Sequence, residues 1–334
     1  MKVAFFDIKP FEKEYLEKNL PDEFSAVYSN KSLTPYLEVN DDFLDCEILS
    51  VFVDSNLNKK VLSQFKNLKF IVLRSTGFSH CDLLYAKENK IAVFNAPHYG
   101  DFSIAEFTFA LILSLTRKII QASCSLKEQK VDHFEFQGME LFNKTIGIIG
   151  LGAIGKRIFE IAKCLKMNAL CFDIEKKEGY NCVDLDELLK KSDIISINCP
   201  LTSKTLCMID SNKIQLMKNG VILINTARGE IIRTQDLYEA LLNGKIGFLA
   251  LDTVECESFL YENKDNPVNI SHISEKCLKN FYITKRMLNM ENVLITPHIA
   301  YNTKEAQKRI LDITIENLIS STKFTNGAKN LVLI

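Results

Sequence analysis

Three short segments in the C-terminal half carry side chains that could act on an anionic, carbonyl-bearing substrate. Asn225-Thr226-Ala227-Arg228-Gly229, Asp252-Thr253-Val254-Glu255-Cys256-Glu257 and Thr296-Pro297-His298 each follow a short apolar run. A residue at the C-terminal end of a strand in an open α/β sheet points into the crevice where such sheets bind ligands. Arg228 would offer there a planar fork that matches a carboxylate in bidentate fashion. The competing reading is a surface arginine before a turn glycine, and spacing alone favours neither. His298 is one of five histidines, the side-chain type that takes up and releases a proton near neutrality. A carboxylate beside it would favour the imidazolium and keep a proton available for a carbonyl oxygen. Asp252, Glu255 and Glu257 are all candidates for that carboxylate, and spacing does not choose among them. His80, His98, His133 and His272 stand in weaker contexts and read as surface or loop residues.

The second chemical signal is Ile146-Gly147-Ile148-Ile149-Gly150-Leu151-Gly152-Ala153-Ile154-Gly155. The apolar, β-branched stretch before Gly150 predicts a buried parallel strand. Gly150, Gly152 and Gly155 then give a tight turn, close backbone approach to a pyrophosphate and close helix–strand contact. Ile154, Ile158, Ile161, Ala162 and Leu165 recur at helical spacing, so a helix starts at the glycine loop with its free amides aimed at a phosphate. The next apolar run ends in Asp173, near the spacing of the acid that binds the adenosine ribose hydroxyls. A carboxylate there repels a 2′-phosphate and favours NAD over NADP, although Lys176 and Lys177 lie close by.

With 334 residues the chain is long enough for about two domains. Its 47% hydrophobic and 25% charged content is that of a globular protein, and 41 basic against 42 acidic residues leave a formal charge of -1. That balance argues against binding nucleic acid or a membrane surface through bulk charge. No stretch approaches the roughly 18 apolar residues of a membrane span, and Met-Lys-Val-Ala-Phe-Phe-Asp turns acidic too early for a signal peptide. Ten cysteines are scattered without a C-x-x-C pair, which disfavours zinc and gives no metal site. Cys171 and Cys199, in apolar strand contexts, read as reduced buried cysteines of a cytoplasmic protein.

The elements that must position these residues follow from periodicity. Apolar runs at 3–6, 48–53, 70–73 and 92–94 alternate with helical patterns at 11–20 and 57–65, which implies a parallel sheet with helices on its faces. A long apolar helix is expected over about 103–124. After the fingerprint unit, strands are expected at 194–198, 221–225, 248–251 and 293–295, with 258–289 an insertion loop containing a helix. A last helix should start near Asn302, with Glu305 completing a capping box, and run to about 321. Needing a surface to cover, it returns to the first sheet. The fold class expected is therefore α/β, with two doubly wound parallel-sheet domains. A Rossmann cofactor domain, 100–299, is inserted into a flavodoxin-like domain made of 1–99 and 300–334.

Together these motifs resemble the NAD-dependent D-2-hydroxyacid dehydrogenases, most closely their fermentative D-lactate dehydrogenase branch. The resemblance spans Arg74-Ser75-Thr76-Gly77-Phe78 with Asp82, the 97–106 segment, the fingerprint with Asp173, and Asn198 to Thr202. It continues through Asn225 to Gly229, Asp252 to Glu257, the 259–265 insertion and Thr296 to Tyr301. It implies NAD as cofactor, bound by the glycine loop (Gly150, Gly152, Ala153, Ile154, Gly155), Asp173, Cys199, Pro200, Thr226, Ala227 and Arg228, with Asp252 on the nicotinamide side. It implies Arg228 as the substrate-orienting arginine, Glu257 as the partner of His298, and His298 as the acid/base. The backbone amides of Thr76 and Gly77 would hold the substrate carboxylate, and Phe78, Tyr99 and Tyr301 would shape the side-chain pocket. The activity implied is reversible reduction of pyruvate by NADH, or of another 2-keto acid, by a cytoplasmic homodimer or higher homo-oligomer; the alternative is a non-catalytic NAD(H)-sensing binding protein of the same fold, against which Arg228, Glu257 and His298 together argue. The sequence departs from the family in three places: His98 to Ser103 beside the tyrosine, Arg233 where an acid is common, and the longer 258–289 insertion.

Overall fold

A computed structural model describes residues 1–129, 133–175, 177–257, 260, 274–323 and 329–333. The chain divides into two compact units, one formed by Met1–Tyr99 with Thr303–Ile334 and the other by Gly100–Asn302.

In chain order, the first unit contains β1 (Lys2–Phe5), α1 (Pro10–Asn19), β2 (Ser25–Tyr28), α2 (Asp41–Leu44), β3 (Ile48–Val51), α3 (Lys59–Leu62), β4 (Phe70–Leu73), α4 (Leu83–Glu88) and β5 (Ala92–Phe94). The second begins with α5 (Asp101–Thr116), α6 (Ile119–Lys127), β6 (Thr145–Ile149), α7 (Ala153–Cys164), β7 (Asn168–Phe172), α8 (Leu185–Lys191) and β8 (Ile194–Ile197). It continues with α9 (Ser211–Leu216), β9 (Val221–Asn225), α10 (Thr234–Leu242), β10 (Ile246–Leu251), α11 (Glu275–Met287) and β11 (Val293–Ile295). The chain then returns to the first unit with α12 (Lys304–Thr322) and β12 (Leu331–Leu333).

The first sheet runs β12-β5-β4-β3-β1-β2, parallel except for β12, which pairs antiparallel with β5. Its parallel part has the flavodoxin-like order. An antiparallel edge was not expected from the sequence, because β12 has only three residues, too few to show a period. The strand β2 was also unmarked: its residues are half-buried or exposed, as at a sheet edge. By contrast β3 is buried throughout, as a central parallel strand must be. The helix α12 packs on α1 and β4, burying Ala306, Ile310, Leu311 and Leu318. Thr303, not Asn302, is its N-cap, with its side chain accepting from the Ala306 amide at 3.1 Å. With Ala306 at N3 the expected capping box does not form.

The second sheet is fully parallel, in the order β11-β10-β9-β8-β6-β7. The order reverses at β6, so the crevice at the carboxyl ends of β6 and β8 is the ligand-binding position of such folds. The single helix expected over 103–124 is two, α5 and α6, broken by Lys118 in a left-handed conformation (φ 49°). No glycine or proline marks that break; Thr116-Arg117-Lys118 interrupts the apolar stripe, and Arg117 closes α5 by donating to Leu113. Ala105, Phe109, Ile112 and Leu115 of α5 join Ile146, Ile148, Ile158 and Ala162 in one core. Among the described residues no helix is long and apolar enough to cross a membrane.

Candidate active site

At the end of β6, Gly150 has φ 92°, and a Cβ there would meet the Cys199 amide nitrogen at 2.7 Å. Only glycine allows the loops after β6 and β8 to approach this closely. A Cβ on Gly155 would stand 2.0 Å from the Gly150 carbonyl, so α7 lies directly against the turn. At Gly152 a Cβ would meet nothing within 4 Å. This leaves an open cradle beside Ala153 and Ile154, whose amides belong to the first helical turn and have no intrahelical acceptor. These features fit a dinucleotide pyrophosphate. Asp173, just beyond β7, accepts from the Leu151 amide (2.7 Å) and the Glu175 amide (3.1 Å), so the acid also shapes the glycine turn. Lys177 pairs with Glu175, and Lys176 lies outside the described residues. Across the crevice, burial pushes the Cys199 thiol up to about 11, which keeps it protonated and inert. Pro200 fixes the following turn by accepting from Thr205 Oγ1 at 2.7 Å.

The loop after β9 is built on its own side chains. Asn225 accepts from the Ala227 amide (3.0 Å) and donates to the Arg228 carbonyl (2.9 Å). Thr226 meets Thr108 of α5 at 3.2 Å. The Arg228 guanidinium, half-buried, makes one hydrogen bond among the described residues, from Nη1 to the Ala227 carbonyl at 2.7 Å. Its remaining donors are available to an anion. Arg233 stands at the N-cap position of α10, without a side-chain cap, and pairs with Asp236 at 3.7 Å.

The three carboxylates after β10, indistinguishable by spacing, have three different environments. Asp252 is fully buried. Its Oδ1 accepts from Thr296 Oγ1 (2.6 Å) and the Ile299 amide (2.9 Å), and its Oδ2 from the Ala300 amide (2.9 Å). The groups on its carboxylate belong to the turn that carries His298. Glu255, also buried, accepts from Thr234 Oγ1 at 2.8 Å and pairs with Lys276 at 2.5 Å. Only Glu257 reaches the imidazole, with Oε1 2.8 Å from His298 Nδ1.

His298 sits in the left-handed region, φ 52°. Its amide lies 2.9 Å from the Asp252 carbonyl and 3.0 Å from that of Thr296. This region is uncommon for non-glycine residues, histidine being among those enriched in it. With Nδ1 engaged by Glu257, Nε2 is the nitrogen left to exchange a proton with a substrate. Beside it, Cys256 (φ 59°) forms a disulfide with Cys277. The sequence did not point to this bond, since the partners are 21 residues apart with no motif to link them, while Cys171 and Cys199 are free as expected. Tyr301 follows this turn and is half-buried.

In the first unit, Thr76 and Gly77 lie in the loop after β4. Thr76 Oγ1 donates to the Ala96 carbonyl (2.9 Å), and Ser75 Oγ to the Gly77 carbonyl (2.7 Å). The Thr76 and Gly77 amides donate to no acceptor among the described residues. Phe78 is exposed. Tyr99 is half-buried, and its carbonyl accepts from Arg309 Nε at 2.8 Å. Sequence reasoning gave no role to Arg74. It is fully buried and donates to the Phe6 and Asp7 carbonyls (2.6 and 3.2 Å) and to Ser50 Oγ (3.2 Å), joining β1, β3 and β4 below this loop. An arginine at the end of an apolar strand run was the available signal. The resemblance over 259–265 falls outside the described residues apart from Leu260.

The fold and the glycine cradle define a dinucleotide-dependent oxidoreductase with a histidine–carboxylate pair. Residues 109–300 match the family model of the D-isomer specific 2-hydroxyacid dehydrogenase NAD-binding domain. The chain is 33% identical over 341 residues to a D-lactate dehydrogenase of Escherichia coli, covering 99% of this chain and all of the relative. It is 34% identical over 304 residues to a hydroxypyruvate reductase of Blautia hydrogenotrophica, covering 87% of each. Its fold matches the solved structure of an Aquifex aeolicus D-lactate dehydrogenase complexed with NAD and lactic acid. There the TM-score is 0.85 and the identity 35%, over 99% of both chains. The chain belongs to the D-isomer specific 2-hydroxyacid dehydrogenases, and its cofactor is NAD.

Proposed function

We propose that this chain reduces pyruvate to D-lactate, reversibly, with His298 as the acid/base. The observation that carries the reading is the 2.8 Å contact between His298 Nδ1 and Glu257 Oε1, on a turn held by the buried Asp252. Glu257 fixes the ring through Nδ1, so that Nε2 donates a proton to the carbonyl oxygen during reduction and recovers it in oxidation. Arg228 holds the substrate carboxylate through its free donors. In the first unit, the amides of Thr76 and Gly77 are open to an anion, with Phe78 and Tyr99 in the same unit; Tyr301 belongs to the second. NADH, when bound along Gly150–Gly155 and Asp173, supplies the hydride.

The similarity to D-lactate dehydrogenases over nearly the whole chain supports pyruvate. The hydroxypyruvate reductase similarity supports a second reading, the same chemistry on hydroxypyruvate. NADH consumption by the purified protein with pyruvate, hydroxypyruvate, phenylpyruvate, 2-ketoisocaproate and glyoxylate, with product chirality scored, tests both. The highest kcat/KM on pyruvate with D-lactate as product is expected. Preference for another keto acid keeps the mechanism and changes the substrate, whereas NADH binding without turnover on any of them overturns the reading.

A further inference from the structure

We propose that the Cys256–Cys277 disulfide is a reversible redox modification site that holds Glu257 against His298. The effect on activity rests on the reading of that pair as the acid/base. Among the described residues Glu257 is poorly anchored through its own side chain: Oε1 has His298 as its partner, and Oε2 is buried without any. Its carboxylate is therefore placed by the backbone. At the preceding residue that backbone is left-handed, φ 59° at Cys256, a conformation that a non-glycine residue keeps only where its surroundings impose it.

Two side-chain links from α11 do so. One is the Cys256–Cys277 bond and the other is Lys276 Nζ to Glu255 Oε1 at 2.5 Å. The helix is a firm anchor, capped by Ser274 Oγ at 3.2 Å from the Cys277 amide and burying Asn280, Ile283, Thr284 and Met287. The ion pair tolerates small displacements, since Lys276 is an exposed, flexible side chain, whereas the covalent bond does not. The bond is also reachable, because Cys256 and Cys277 are both half-exposed. It is no part of a wider disulfide framework: the eight other cysteines are free, Cys124 and Cys164 on the surface among them. A lone accessible disulfide beside a functional carboxylate, in a chain otherwise rich in thiols, is the arrangement expected of a regulatory bond.

The exchange balances as follows. A dithiol reductant passes two electrons and two protons to the bond, giving the Cys256 and Cys277 thiols and leaving as its own cyclic disulfide. In reverse, a small-molecule disulfide accepts the two electrons, departs as two thiols, and the Cys256–Cys277 bond forms again.

The test equilibrates the whole protein in glutathione buffers of graded potential and maps the bond by alkylation and mass spectrometry. The same samples are examined for the downfield imidazole N–H proton of His298, identified by its loss in His298→Gln, and for keto-acid reduction. The bond should titrate with one midpoint, the resonance should follow it, and kcat/KM should fall about ten- to a hundredfold on reduction, as expected for a displaced catalytic group. NADH affinity should stay constant. Cys277→Ser should show the reduced behaviour at every potential. Two free thiols across the whole range, or a resonance indifferent to the bond, would overturn the proposal. If the resonance follows the bond but no keto acid is turned over, the positioning role stands and the catalytic reading fails.

Discussion

Replacing Asp252 with asparagine isolates what holds the His298 turn. The aspartate is fully buried and accepts from Thr296 Oγ1, the Ile299 amide and the Ala300 amide, at 2.6 to 2.9 Å. An asparagine with its oxygen in the Oδ1 place keeps the first two bonds, uncharged, and turns its own N–H groups onto the Ala300 amide. The opposite rotamer keeps Ala300 and opposes Ile299. In either pose one buried donor loses its acceptor and the charge assistance goes, which costs about 2–4 kcal/mol. In a unit of this size that lowers Tm by roughly 5–15 °C. Because the His298 amide itself bonds to the Asp252 and Thr296 carbonyls, a loosened turn shifts the imidazole, and a shift near 1 Å costs about a hundredfold in kcat. Differential scanning fluorimetry and steady-state kinetics of Asp252→Asn read both. A variant with wild-type Tm and wild-type kcat would refute the anchoring role.

Three further outcomes are expected. On the proposed role, Arg228→Gln loses a charged bidentate contact of about 3–5 kcal/mol, so kcat/KM for the keto acid should fall by roughly 10²–10⁴ while fluorescence-detected NADH binding changes little. Iodoacetamide at pH 8 should label Cys124 and Cys164, which are exposed, and spare Cys46, Cys81, Cys171 and Cys199. Burial raises those four thiols to about 12, 12, 12 and 11 respectively. Their labelling should rise with pH, about tenfold per unit for Cys199; prompt labelling at pH 8, read by mass spectrometry, would contradict this. At Asp193, burial acts to raise the pKa but is outweighed by the Lys218 ammonium and the Thr145 amide, so it lies below its ordinary value of 3.8. A depressed carboxyl contributes stability above its unfolded value and loses it as pH falls through the folded one. Urea unfolding of Asp193→Asn should therefore show a loss of stability at pH 7 that shrinks below about pH 4.

Much of this architecture was legible because parallel α/β units write themselves as apolar runs between helical patterns. Gly150, Gly152 and Gly155 needed no structure to be found: steric contact leaves no alternative residue at Gly150 and Gly155, and Gly152 keeps the cradle between them open. The strands that escaped, β2 and β12, are a half-buried edge strand and a three-residue antiparallel pairing. The break at Lys118 rests on one left-handed residue whose type does not announce it. At the site, three carboxylates within six residues could not be sorted by spacing, since side chains a residue or two apart diverge once the backbone turns at Cys256. The pairing of Cys256 with Cys277 and of Lys276 with Glu255 joins distant segments, and no local pattern encodes it. Asp252 shows the opposite case: its position was recognised, and its bonding to the 296–300 turn came only from the structure.

The central claim is that His298 exchanges the substrate proton, and single-turnover reduction of pyruvate by His298→Gln with bound NADH tests it most directly. Glutamine keeps a polar side chain on the turn but cannot act as an acid. The account predicts NADH affinity near wild type and a first-turnover rate reduced by about 10²–10⁴-fold. A first turnover at the wild-type rate would contradict it.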